Sequence, residues 1–218
     1  MSEIQEINLN KFKVKLADTD DPVASKVSWN PVNPGGSNFK SQKMTIFDEK
    51  IIIKKTIGAY VFALVFTVPG ILALVIGGPY FLLFNSDIVL GLFMIVWGGM
   101  FGGVGILMLK RDKNFTIDKI NGSYYIGKEF DNLNSQDRFK QGYVKDIYAI
   151  QLINERIQSN SSNGRSSRSS SYTSYELNLV FKDGERINIM DHGKGKDIAD
   201  SAKYLGKFLN VPIWKAQY

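Results

Sequence analysis

Residues able to do acid–base or nucleophilic work are sparse in this chain. His192 is the only histidine, and there is no cysteine. Beside Asp191, it could serve as a general base for a serine. That chemistry needs a nucleophile, a base and an orienting group within hydrogen-bond reach of one another. Two neighbours on one segment and many scattered serines do not specify such a set. The plainer expectation is a strand-to-helix turn at Asp191-His192 and no catalytic residue. A structural zinc site takes about four Cys or His ligands; one histidine cannot supply it. Neither a metal nor a cofactor is expected.

Two basic segments could instead contact an anion. "GKGK", residues 193–196, precedes a helical pattern. Free backbone N–H groups and the helix dipole favour negative charge there, and Lys194 and Lys196 add to it. The segment lacks the longer glycine spacing and the Gly-Lys-Ser/Thr ending of a nucleotide phosphate loop. Arg165 and Arg168 lie in "SNSSNGRSSRSSSYTS" and could touch anionic lipid headgroups. In both places the bland alternative is solvated cations on a connection. Residues 114–218 hold 15 basic and 12 acidic side chains, a balance of +3 within a whole-chain +6. With no basic–aromatic motif, this is not a nucleic-acid surface; it suits a domain held near an anionic leaflet.

The elements that must carry these residues follow from patterning. "NFTIDKINGSYYIGKEF" alternates apolar residues around Asn121-Gly122, a hairpin signal. A strand is expected from about Ile147 to Arg156. "YELNLVFKDGERINIM" alternates at Tyr175, Leu177, Leu179 and Phe181, turns at Asp183-Gly184, and alternates back through Ile187 and Ile189. The Ser-rich segment between them cannot bury enough surface to offset its ordering entropy, so a flexible loop is expected at 159–174. "KDIADSAKYLGKFLN" places Ile198, Ala202, Leu205 and Phe208 or Leu209 on one helical face, with Lys203 and Lys207 toward the other. Asn210-Val211-Pro212 ends that helix. Strands followed by one amphipathic helix suggest a bent sheet or half-barrel closed by the helix.

Upstream, Asp87 is the only charged residue between Lys55 and Lys110. Thr56–Ser86 and Ile88–Leu109 are each long enough for the roughly 20 apolar residues of a membrane span. Asn85-Ser86-Asp87 reads as a polar turn at an interface, since a carboxylate at mid-membrane is costly. Lys54, Lys55, Lys110, Arg111 and Lys113 flank the hairpin and none lies in the turn. The positive-inside rule therefore puts both termini in the cytoplasm. No cleavable signal peptide is visible at the start. Pro69 should kink the first span, and Gly77-Gly78-Pro79 either breaks it or lies in a tilted continuation. The second span repeats glycine at a four-residue spacing, Gly98/Gly102 and Gly99/Gly103. Such spacing admits a close helix neighbour, either this chain's first span or another copy.

The expected division is an N-terminal cytoplasmic arm at 1–50, with its irregular "WNPVNPGGSNFKSQ", and a transmembrane hairpin at 51–110. The spans lie at about 56–84 and 88–109, and a cytoplasmic β-rich domain follows at 111–218. "KMTIFDEKIIIKK" is open between a short strand and the start of the first span. The fold class is α+β: an antiparallel transmembrane helix pair plus a small antiparallel sheet closed by a C-terminal helix. "KDIYAIQL", "RINIM" and "AKYLGKFLNVPIW" give this layout its resemblance to bacterial pleckstrin-homology-like (PH-like) domains. Over roughly Thr56 to Trp214 the chain is also similar to the two-span photosystem I assembly protein family. That resemblance implies two adjacent spans, a β-rich cytoplasmic or stromal domain and a closing helix before a Val-Pro-Ile end; it implies architecture alone. The functional expectation is a non-enzymatic scaffold, assembly or regulatory protein of a bacterial inner membrane. Its soluble domain would bind a protein partner or anionic headgroups. The alternative is an oligomeric pore- or channel-forming subunit, such as a stress or defence effector, although neither span carries the polar stripe a water-filled path needs.

Overall fold

The computed structural model describes residues 6–9, 12–15, 21–110, 114–131, 137–160 and 169–217. The chain forms two compact units, one at 55–113 and the other from 1–54 together with 114–218.

The helical unit consists of α1 (Ile57–Leu72), a π-helical stretch Ala73–Gly77, α2 (Gly78–Leu83) and α3 (Ile88–Lys110). Thr56 caps α1, its hydroxyl accepting from the Ala59 N–H at 3.2 Å. Asp87 performs the same service for α3, accepting from Leu90 N–H at 3.0 Å. The helix passes through Pro69, and Pro79 sits at the permissive first turn of α2. Of the two alternatives at Gly77-Gly78-Pro79, the helix continues and does not break. Between the two prolines the helix continues with wider hydrogen-bond spacing at Ala73–Gly77. Ile57–Leu83 and Ile88–Lys110 have mean hydropathies of 2.5 and 2.1 over their most apolar windows, of which only 17% is buried in each. Both are long and apolar enough to cross a membrane. Lys55 Nζ donates to the Met108 carbonyl, one of the last of α3, which have no partner within the helix.

The helices meet along a seam with almost no side chains. Gly70, Gly98, Gly102 and Gly105 are buried there with Thr67. A Cβ on Gly98 would lie 2.6 Å from both Gly70 O and Leu74 N; one on Gly105 would lie 2.6 Å from Thr67 N. These are backbone atoms, so no rotamer change could relieve the overlap.

The β-rich unit has two sheets. One has five strands in the order β3 (Gln42–Phe47), β4 (Lys50–Lys55), β5 (Phe115–Asp118), β6 (Ser123–Ile126) and β7 (Gln141–Tyr143). The other has six, in the order β1 (Glu6–Leu9), β2 (Phe12–Lys15), β11 (Ile213–Gln217), β8 (Ile147–Asn160), β9 (Ser169–Phe181) and β10 (Arg186–His192). The described registers are antiparallel except β11 with β8. The helix α4 (Gly195–Leu209) follows β10 and ends at Asn210, which adopts a left-handed φ of 54°.

The core joins Ile51, Ile53 and Ile117 of one sheet to Ile150, Leu177 and Leu179 of the other, with Ile198, Ala202 and Leu205 of α4 against them. Alternation in β5, β8 and β9 and the apolar face of α4 thus point inward as the sequence periodicity implies. One reading left open is decided, and two boundaries differ from expectation. Residues 42–55 form two sheet strands, and β4 pairs with β5 across the whole helical insertion, Ile51 opposite Ile117. Residues 21–54 therefore belong to the β-rich unit, whereas the sequence reading set 1–50 apart as an arm. Strand pairing also consumes part of the expected loop at 159–174: β8 continues through Asn160 and β9 starts at Ser169, with Gln158 opposite Ser171. Backbone ladder bonds suffice there, because polar side chains are tolerated where the ribbon faces water.

Candidate functional site

The segment from Asp21 to Ser41 has no regular structure, yet it lies on the face of the six-stranded sheet opposite α4. Its first half is held by apolar contact: Val23, Val27 and Trp29 pack against Ala149, Val180 and Trp214. The second half is held by carboxylates. Glu176, 2% exposed, accepts from Val32 N–H at 2.8 Å and Asn33 N–H at 2.6 Å. Glu155 accepts from Gly35 N–H at 3.0 Å. Ser174 Oγ stands 2.8 Å from Asp191 Oδ1 and 3.1 Å from Ser37 O. Beneath them Gln151 and Asn178, both fully buried, connect Ser28 O, Glu176 and Arg186. This segment is a strap, and the polar residues of β8 and β9 fasten it.

Gly36 shows how closely the strap lies. A Cβ there would come within 2.7 Å of Asp191 Oδ2. The enclosure desolvates the Asp191 carboxyl and pushes its pKa up to about 6, with Glu176 and Glu155 adding like-charge repulsion against the Ser174 hydrogen bond.

Asp191 and His192 face different surroundings. His192 is 1% exposed, and its Nδ1 accepts from Lys194 N–H at 3.1 Å. Burial first, and then the nearby Lys40 charge, hold the imidazole pKa below its ordinary value. A neutral ring with Nδ1 accepting carries its proton on Nε2. That Nε2 has no partner among the described residues. A buried donor left unsatisfied costs about 1–3 kcal/mol. The ring lines a cleft of about 330 Å³ between β3, β10 and the start of α4. Among the described residues no serine hydroxyl bonds to His192: Ser174 lies on the strap side, and Ser201, which lines the cleft, donates to Asp197 O at 2.8 Å.

The other residues singled out by sequence are dispersed. Lys194 and Lys196 are exposed, and neither lines the cleft. Lys40 and Lys43, which sequence reasoning did not select, do. Arg165 and Arg168 lie outside the described residues. Gly98 and Gly102 face α1, whereas a Cβ on Gly99 or Gly103 would meet nothing within 4 Å. The four glycines therefore split into a packed pair and an open pair. Among the described residues no group of three or more His, Cys, Asp or Glu is placed to hold a metal ion. Gln151, Glu176 and Asn178 gave no signal in sequence, because polar residues at alternate strand positions read as a solvent face. Only Trp29, an aromatic within a Pro/Gly-rich stretch, hinted that the stretch covers something.

No known protein family, no curated protein and no solved structure matches this chain.

Proposed function

We propose that this protein is a membrane-anchored, non-catalytic scaffold or regulatory subunit. The helix pair is its anchor, and the β-rich unit is a cytoplasmic PH-like module that presents a binding surface to a protein partner or to anionic headgroups. The observation that carries the anchor is the combination of high hydropathy with low burial in both long helices. Core helices of a water-soluble protein would hide those side chains, yet Val65, Val75, Val89 and Val96 are all more than 60% exposed. The polar Asn85–Asp87 turn and the flanking lysines fit a hairpin with both termini on the cytoplasmic side. Two sheets closed by α4 support the PH-like reading of the module. The engagement of Glu155 and Glu176 in fastening the strap supports the non-catalytic reading.

Carbonate extraction tests the anchor: the chain should stay with the membrane pellet. Topology is tested by single cysteines at Asn85 and Gln158 in this cysteine-free background. An impermeant thiol reagent added to intact cells should label position 85 only. Labelling of position 158 would invert the orientation, and release by carbonate would end the reading. Crosslinking from Gln158 in membranes, followed by identification of the captured chain, tests the partner.

A further inference from the structure

We propose that the cleft between β3, β10 and α4 binds a small carboxylate ligand with a short apolar body, the carboxylate accepting from His192 Nε2–H and pairing with Lys43. The site lies wholly within the β-rich unit and does not depend on the membrane reading.

His192 supplies the first observation. It is almost fully buried, its Nδ1 is committed to Lys194 N–H, and its Nε2–H lacks an acceptor among the described residues. Its burial keeps the ring neutral at pH 7, so the unmet demand is for one acceptor and not for a counter-charge.

The charges around the cleft supply the second. Lys40 pairs with Asp197 at 2.7 Å, and Asp200 lies 4.0 Å from Lys203. Lys43 has no acidic partner among the described residues. One uncompensated ammonium favours a monoanion; a phosphate dianion would be brought against Asp197 and Asp200, which line the same cleft. The start of α4 adds dipole of the same preference and has no side-chain cap to consume it.

The walls supply the third. Met44, Ile46, Met190 and Tyr204 form the apolar wall; Gln42 and Ser201, the other polar lining, are engaged with Asp191 N–H and Asp197 O. Methionine adapts to irregular apolar shapes, and the volume is at the small end of ligand pockets. A carboxylate at the His192 end with a few methylenes along the methionines satisfies both.

The chain's single histidine makes the test direct. The full-length protein, labelled with ring-¹⁵N histidine and held in detergent micelles, gives one Nδ1 and one Nε2 resonance. Titration with sodium hexanoate should shift Nε2 saturably, and inorganic phosphate should not. Lys43→Gln should weaken the response at least tenfold, as should Ile46→Glu, which adds a negative charge on the wall at a position 43% exposed. Lys196→Gln should leave it unchanged. The Nδ1 resonance reports that the fold persists in each variant; if one variant loses it, the other decides. Absence of a saturable Nε2 shift at tens of millimolar hexanoate would overturn the proposal and leave ordered water as the occupant. So would an undiminished response in folded Lys43→Gln and Ile46→Glu, or a stronger response to phosphate.

Discussion

The glycine seam between α1 and α3 and the strap across β8–β10 solve the same problem by opposite means. Each brings a second segment into close contact. The seam does so by removing side chains: Gly70, Gly98, Gly102 and Gly105 let backbone meet backbone. The strap does so with polar side chains long enough to reach its N–H groups, chiefly Glu155 and Glu176, while Asp191 bonds Ser174, which also lies against Ser37 O. Helices satisfy their own backbone donors, so their contact needs only shape. An irregular segment satisfies few of its own, so its contact must provide acceptors. The seam should therefore be intolerant of added atoms, and the strap intolerant of lost hydrogen bonds.

The largest effect should come from adding atoms to the seam. Gly98→Ile places a branched side chain where a Cβ alone would already lie 2.6 Å from backbone atoms of Gly70 and Leu74. The helices must separate, and the pair should no longer survive mild detergent heating. Gly99→Ile, one residue along, meets open space and should leave the pair intact. A cysteine crosslink between α1 and α3 reports separation directly. If Gly99→Ile leaves that crosslink but reduces oligomer size, the open glycine pair serves contact between copies. Equal damage from both variants would remove the distinction drawn at this seam.

Next in size is the core beneath the strap's sheet. Leu205 is fully buried on α4, and truncation of a buried leucine costs about 2–5 kcal/mol. Leu205→Ala should sharply lower the thermal midpoint, and half-buried Phe208→Ala should lower it less. Exposed Lys203→Ala and Lys207→Ala should scarcely move it. The full chain is the right subject: a fragment starting near residue 112 would lack β3, β4 and the strap, leaving β5 without its Ile51–Ile53 neighbour. Lysine variants as damaging as Leu205→Ala would mean that α4 is rotated.

How much of this could be read beforehand depended on whether the signal was local. The apolar runs, the Asn121-Gly122 and Asp183-Gly184 turns and the spaced apolar residues of α4 are each contained in a few turns or strands, and each is where periodicity puts it. β4 and β5 are neighbours in the sheet but about 60 residues apart in sequence, with the two apolar helices between them. No window-sized pattern records such a pairing. The same reason hid the strap's fasteners. Glu176 looks like an outward strand residue until a segment more than 140 residues earlier is laid across it. His192 was visible as the lone histidine, but the cleft beside it is made by Lys43 and Met44 from the other end of the unit.

The strap gives the next prediction. Glu176→Ala leaves the Val32 and Asn33 N–H groups without their carboxylate; Val32 is half-buried and Asn33 exposed, so water replaces part of what is lost. The strap's second half should open while the apolar half, anchored by Trp29, stays. Amide exchange at residues 32–37 should accelerate by an order of magnitude or more, with the amides of β8 little changed. Glu176→Gln keeps one acceptor oxygen and should fall between. Uniform acceleration across the sheet would show that the strap and the sheet open as one unit.

The smallest effect, and the one that separates the hydrogen-bonding role of these carboxylates from their charge, is at Asp191. Its folded pKa is raised to about 6, against an ordinary 3.8, chiefly by burial under the strap. The folded state therefore holds this proton more tightly than the unfolded state does. Its contribution to stability is fully present below the unfolded value near 3.8 and is lost as pH rises through about 6. His192 acts in the opposite sense. Its pKa is lowered, so its contribution is present above the ordinary 6.5 and is lost as pH falls toward the depressed folded value. Below about pH 6 the two neighbours act in opposite senses in the wild-type chain. Asp191→Asn keeps an oxygen to accept from Ser174 and removes the charge. Its thermal midpoint should match wild type near pH 4 and exceed it above pH 6.5. Because Asp191 is only partly buried, the gain is about 1 kcal/mol, a few degrees. The variant should also expose the His192 slope alone, a midpoint that falls steadily as pH drops below 6.5. A difference between variant and wild type that is the same at every pH would mean that Asp191 serves the strap as an acceptor only, and that its charge is not confined there.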